Sequence, residues 1–137
     1  MEPMPKLLVS LVALVVAAVV VSPIGATPAK TLVKVQLKEF KVLPSPLTAK
    51  RGAVSFSVKN IGKVDHEFIV LKTNTAPAKL PVKGSKAVET GRVGRVGPLK
   101  PGTSKSLNLT LTSGKYVLLC NLPGHYQAGQ RIGFTAT

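Results

Sequence analysis

Past residue 30 the chain has no ten-residue stretch with helical periodicity, and alternation takes its place. Val33, Val35 and Leu37 interleave with Lys34, Gln36 and Lys38, and within Ala53–Lys59 Val54, Phe56 and Val58 interleave with Ser55, Ser57 and Lys59. Leu107, Leu109 and Leu111 do the same with Ser106, Asn108 and Thr110. Successive side chains of a strand point to opposite faces, so each run reads as a strand with one face buried. Ser113-Gly114 turns the third run into Tyr116–Cys120, and Ile132, Phe134 and Ala136 close the sequence as a last strand. Pro44 and Pro46 interrupt residues 41–50, as an edge segment crossing between sheets would require. Six or seven short strands, with turns roughly every ten residues, predict an all-β sandwich.

The N-terminus is of another kind. Leu7 to Val21 is uncharged and, apart from Ser10, apolar, with Lys6 before it and Pro23 and Gly25 after it. This is the pattern of a secretory signal. Small residues at Ala26 and Ala29 offer two cleavage points, so residues 1–26 are expected to be a signal peptide and residues 27–137 the folded domain. Left uncut, the uncharged run Leu7–Ala29 is long enough to anchor the chain in a bilayer. Either way the domain is expected outside the cytoplasm, in the periplasm, cell envelope or extracellular space. The 111 residues from Thr27 onward suffice for one core and not for two.

Lys and Arg number 19 against 5 Asp and Glu, a net charge of +14. Loss of residues 1–26 removes one base, Lys6, and one acid, Glu2, and leaves that charge unchanged. Such a surface favours acidic partners, anionic lipid or acidic cell-wall polymer. Nucleic acid is excluded as a partner, because an exported chain with no tryptophan and few aromatics lacks the stacking groups of a single-strand binder. Residues 72–105 hold eight of the bases and one acid, Glu89, among four prolines. They read as a solvated loop region with one strand near Ala87–Val93 rather than a dedicated docking patch. The echo Gly-Arg-Val-Gly-Arg-Val at 91–96 is no phosphate loop, since no Gly-Lys-Ser/Thr follows.

Cys120 is the only cysteine, and in an exported protein a single cysteine is free, intermolecular or a metal ligand. His125 and Gln130 follow it at intervals of five, around a Pro123-Gly124 turn that lets all three converge at one end of a hairpin. A thiolate, an imidazole and a weak oxygen donor lack one more imidazole to make the ligand set of a type 1 copper site. The only other histidine is His66, on a strand-like run where it shares the parity of Phe68 and Val70 and so points inward. Its neighbour Glu67 should face outward. Singly, each candidate has an ordinary reading: a satisfied core histidine, a small buried cysteine, a glutamine near a turn. Their conjunction in a chain so poor in both residue types is what points to a metal.

Asn60-Ile-Gly-Lys-Val-Asp-His-Glu-Phe68 together with Cys120-Asn-Leu-Pro-Gly-His-Tyr-Gln-Ala-Gly-Gln130 resembles the cupredoxins, the plastocyanin- and azurin-like small blue copper proteins. The resemblance covers residues 31–137 in layout and implies a Greek-key β-sandwich, a monomer, holding one copper ion. It makes His66, Cys120 and His125 the equatorial ligands. Gln130 stands where the family usually has methionine, as in the stellacyanins, whose disulfide is absent here. Met1 and Met4 are the only methionines and both precede the domain, so no thioether from residues 27–137 can be axial. Gln130 through its amide oxygen is the best candidate; Gln127, a backbone carbonyl or a three-coordinate site are the alternatives. The resemblance also brings His125 to the surface between Leu122, Pro123 and Tyr126 as an electron exit.

One-electron transfer to an acidic redox protein is the function so implied. A copper-binding or delivery protein is the second reading, although methionine-rich delivery motifs are missing. A copper enzyme would need further histidines for a catalytic ion, and zinc would compete less well than copper for this donor set.

Overall fold

The computed structural model describes residues 1–3 and 15–137. The first half of the apolar run expected to act as a signal lies outside them. Residues 15–30 have no regular secondary structure, and Val15, Val16, Val19, Val20 and Val21 are exposed. Among the described residues no helix is long and apolar enough to cross a membrane.

Eleven strands follow: β1 (Thr31–Lys38), β2 (Lys41–Ser45), β3 (Thr48–Ala49), β4 (Gly52–Asn60), β5 (His66–Lys72), β6 (Val82–Lys83), β7 (Lys86–Ala87), β8 (Arg92–Leu99), β9 (Ser104–Leu111), β10 (Gly114–Leu119) and β11 (Arg131–Ala136). One sheet has the order β2-β1-β4-β9 and the other β3-β11-β10-β5-β8, while β6 and β7 form a short separate ribbon. The pairs β1–β4 and β3–β11 are parallel and the remaining pairs antiparallel. The proline-bearing segment crosses as expected, with β2 on the edge of one sheet and β3 on the edge of the other.

The alternating residues fill the space between the sheets. Val33, Val35 and Leu37 of β1 and Val54, Phe56 and Val58 of β4 meet Phe68 and Val70 of β5, Leu118 of β10 and Phe134 of β11. Phe56 lies at the centre, its ring 5.4 Å from that of Phe68 and 5.6 Å from that of Phe134. At one flank Gly94 of β8 lets the sheets close up, for a Cβ there would stand 2.8 Å from the Leu109 side chain of β9.

Residues 72–105 are more ordered than their composition suggests. The strand expected near Ala87–Val93 lies further on, at Arg92–Leu99, and takes in most of the Gly-Arg-Val echo as an edge strand. The Pro77–Lys79 3-10 turn and the β6–β7 ribbon lie over the outer face of the five-stranded sheet. There Leu80 and Ala87 join Ile69, Leu71, Val117, Leu119 and Tyr126 in a second apolar cluster. Strands β5 and β10 are therefore buried on both faces. Period two could not reveal this, because a strand covered on both sides reads as a continuous apolar run.

Candidate metal centre

Strands β5 and β10 run antiparallel with Ile69 opposite Leu119, so the start of β5 and the end of β10 fall at the same end of the sheet. His66 is the first residue of β5, and Cys120 follows the last residue of β10. Both are wholly buried. The ten residues between Cys120 and β11 wind into successive turns. The Cys120 N–H donates to the Gln130 carbonyl at 3.1 Å and closes the loop at its base. Within it the Ala128 N–H donates to the Gly124 carbonyl at 3.0 Å, and the Gln130 N–H to the His125 carbonyl at 3.1 Å. Gly124 sits at φ +79°, a conformation side chains disfavour, which makes the first turn possible.

This winding brings three of the expected residues onto one point. Nδ1 of His125 is 3.4 Å, and Nδ1 of His66 3.9 Å, from Cys120 Sγ. The ligand atoms of all three lie within 4.8 Å of one another. Two donors held about 2.0–2.3 Å from one ion stand roughly 3.5 Å apart, so the spacing suits a shared metal.

Gln130 is also wholly buried. Its Nε2 donates to the carbonyls of Lys38, at 3.3 Å, and Lys41, at 3.4 Å, and these fix which way the amide faces. Its Oε1 has no hydrogen-bond partner, and among the described residues no other buried side-chain nitrogen or oxygen is left so. A buried carbonyl oxygen without a partner costs about 1–3 kcal/mol and calls for a reason. Gln127, by contrast, is exposed and reaches only the Gly84 carbonyl, at 3.3 Å.

The electrostatics follow from burial. Loss of solvent pushes the Cys120 thiol above its ordinary pKa, opposed by the backbone N–H groups of Glu67 and Leu122. The first of these donates to Sγ at 3.3 Å. Partial burial lowers His125, as does the charge of His66; the Gln130 amide, near enough to the ring to act the other way, makes no hydrogen bond of acceptable geometry to it.

Two features of the surroundings differ from expectation. Glu67 does not face solvent. Its parity is that of Ile69 and Leu71, which the second cluster covers, and its carboxylate is paired with Arg95 of β8 at 2.7 Å. Nor does Tyr126 frame a surface window for His125, since its side chain turns inward, accepts from the Leu80 N–H at 3.0 Å and donates to the Pro77 carbonyl at 2.7 Å. Phe40, on the turn between β1 and β2, instead sets its ring edge-on to His125, centroids 5.0 Å apart.

The β1–β2 turn also supplies a residue that the sequence argument passed over. Glu39 Oε1 accepts from the Lys63 N–H at 2.7 Å and the Val64 N–H at 2.9 Å, and lies 3.1 Å from His66 Nε2. Those backbone donors, Val64 foremost, hold its pKa down to about 2. The signal available in the sequence was its rarity, one acid between two lysines in a chain with five acids.

A β-sandwich that gathers two histidines and a cysteine at one end, with a buried amide oxygen beside them, defines a small metal-binding domain of the copper-protein class. The family model described as "Cupredoxin-like domain" matches residues 10–132, and the chain belongs to that family. Among solved structures it is similar to auracyanin B, with 22% identity, a TM-score of 0.62, and coverage of 81% of this chain and 91% of that one. It is also similar to auracyanin A, described as a "blue" copper protein from the green thermophilic photosynthetic bacterium Chloroflexus aurantiacus. There the identity is 19% and the TM-score 0.61, over 80% of this chain and all of that one. Rusticyanin from Thiobacillus ferrooxidans shares 19% identity with a TM-score of 0.60, over 79% of this chain and 77% of that one. No curated protein matches the sequence significantly.

Proposed function

We propose that this domain is a type 1 copper protein that carries single electrons between redox partners. In this reading His66, Cys120 and His125 are the equatorial ligands of one ion and Gln130 Oε1 the axial one. The observation that carries it is the convergence of the three ligand atoms, within 4.8 Å, beside an amide oxygen that nothing else satisfies. Copper bound there would supply reversible exchange between its +1 and +2 states, which thiolate and imidazole ligands both tolerate.

The protein's own part is to hold the donors still. His66 is fixed by a sheet buried on both faces and by Glu39, and Gln130 by two backbone carbonyls. A preset donor geometry leaves little to rearrange when the charge changes. Cys120 serves as thiolate, giving up its proton, and the Glu67 N–H then stabilises the sulfur charge. Both histidines are used in this one cluster, so the reading is a carrier and not an enzyme with a second, catalytic copper.

The similarity to a "blue" copper protein supports the same reading, and so does the family. The basic surface would steer an acidic redox protein toward the domain and make transfer slow as salt rises. Export, with the N-terminal segment removed or kept as an anchor, accords with the pattern of residues 7–29 and with a lone thiol committed to a metal.

The test is the visible spectrum on adding Cu(II). An intense thiolate-to-copper band that bleaches on reduction and returns on oxidation, and that is lost in Cys120→Ser, is expected. A colourless or irreversible complex would instead mark a protein that only binds or delivers copper.

A further inference from the structure

The acids of this basic chain are not spread over its surface. Of the five, Glu39, Asp65 and Glu67 touch or adjoin His66, and Glu89 accepts from Nδ2 of Asn121, the residue after Cys120, at 2.9 Å. Glu39 is the one whose carboxylate meets a candidate ligand directly. It comes from the opposite sheet, and the contact is built. The Asn60 side chain organises the 60–64 loop, accepting from the Gly62 N–H at 2.8 Å and donating to the Val64 carbonyl at 2.8 Å. That loop turns the Lys63 and Val64 N–H groups onto Glu39 Oε1. A Cβ on Gly62 would stand 2.5 Å from the same oxygen, so glycine is what admits the carboxylate.

We propose that Glu39 is a positioning residue for His66, which fixes its tautomer and lowers the reduction potential of the centre by placing a carboxylate charge behind the imidazole. The first half follows from geometry. An ionised carboxylate only accepts, so the ring nitrogen facing it, Nε2, must carry the hydrogen, and Nδ1 is left as the lone pair that faces Cys120 Sγ. The second half follows from charge. A carboxylate accepting from an imidazole makes that ring a more basic donor and favours the more highly charged ion behind it. The Glu39 side chain is 31% exposed, so water screens the effect without abolishing it.

The second half rests on the copper reading and the first does not, and the test separates them. Nitrogen-15 NMR of the copper-free full chain should show the His66 ring with its hydrogen held on Nε2. Glu39→Ala should release it into a mixture of tautomers exchanging with solvent. Glu39→Gln keeps an acceptor oxygen but not the charge. It should retain the tautomer while the preference for Cu(II) over Cu(I) falls about tenfold, a rise of about 59 mV for one electron. Gly62→Ala, which displaces the carboxylate and leaves the His66 strand alone, should move the potential in the same direction. An unchanged tautomer in Glu39→Ala overturns the positioning role, even in a protein that bound no copper. An unchanged potential in Glu39→Gln, in a protein that is blue and reversible, overturns the electrostatic role alone.

Discussion

His66 and His125 turn the same ring nitrogen toward the same sulfur, yet they are held in opposite ways. His66 belongs to a central strand, is wholly buried among core residues and has its far nitrogen on a carboxylate. His125 sits in a loop made of turns, is only partly buried, and has an exposed phenylalanine edge for a neighbour. One half of the centre is set by the sheet before any ion arrives. The other half is set by a loop that a ten-residue chain segment and its internal hydrogen bonds must hold in place. On the reading proposed above, access to an ion held there lies on the His125 side, where the ring is only partly buried.

The strongest way to break this contrast is to remove each ring in turn. His125→Gly and His66→Gly should both lose the blue band on addition of Cu(II). Free imidazole should restore it in His125→Gly, where the vacated space opens toward solvent, and not in His66→Gly, where the space is sealed by strand and core. Equal rescue of the two, read by visible absorption against imidazole concentration, would show that burial does not divide the site as described.

A smaller effect is expected at the residue that joins the two halves. Gln130 belongs to the loop, but its amide hydrogens are on the β1–β2 turn that carries Glu39 and Phe40. Replacing its oxygen by a softer thioether in Gln130→Met should favour Cu(I) by about tenfold, a rise of about 59 mV. The same change leaves the Lys38 and Lys41 carbonyls without that donor, so some loss of stability should accompany it. A potential that does not rise, measured by voltammetry, would remove Gln130 from the axial position.

The loop half was far more legible in the sequence than the strand half. Cys120, His125 and Gln130 are close in the chain and separated by turn residues, so their convergence is a local matter that spacing can express. His66 had to be reached by elimination and by the parity it shares with Phe68. Glu39 had only its rarity as a signal, because what makes it part of the site is the packing of the β1–β2 turn against the loop that leads into β5. Glu67 was misplaced for a related reason. Alternation predicts two faces but not what covers the second, and residues 77–88, read as solvated loop, cover it. The sandwich itself was visible because its inward residues repeat at every second position in five separate runs.

Glu67 also gives the finest test of the contrast, because it braces the strand half from behind. Its carboxylate is 2% exposed, whereas its partner Arg95 is 45% exposed on edge strand β8. Arg95→Ala would thus strand a buried charge. A fully buried pair so broken costs about 3–5 kcal/mol, and water reaching past the arginine should bring this nearer 2 kcal/mol. Because the Glu67 N–H, not its carboxylate, contacts Cys120 Sγ, the metal-free protein should lose stability in urea while the blue band keeps its position. Adding Glu67→Gln to Arg95→Ala should recover most of the loss, since an amide costs less to bury than an unpaired carboxylate. A band displaced as far as the stability falls would mean that the strand half is less rigid than its burial implies, and that the sulfur feels the carboxylate through the backbone that joins them.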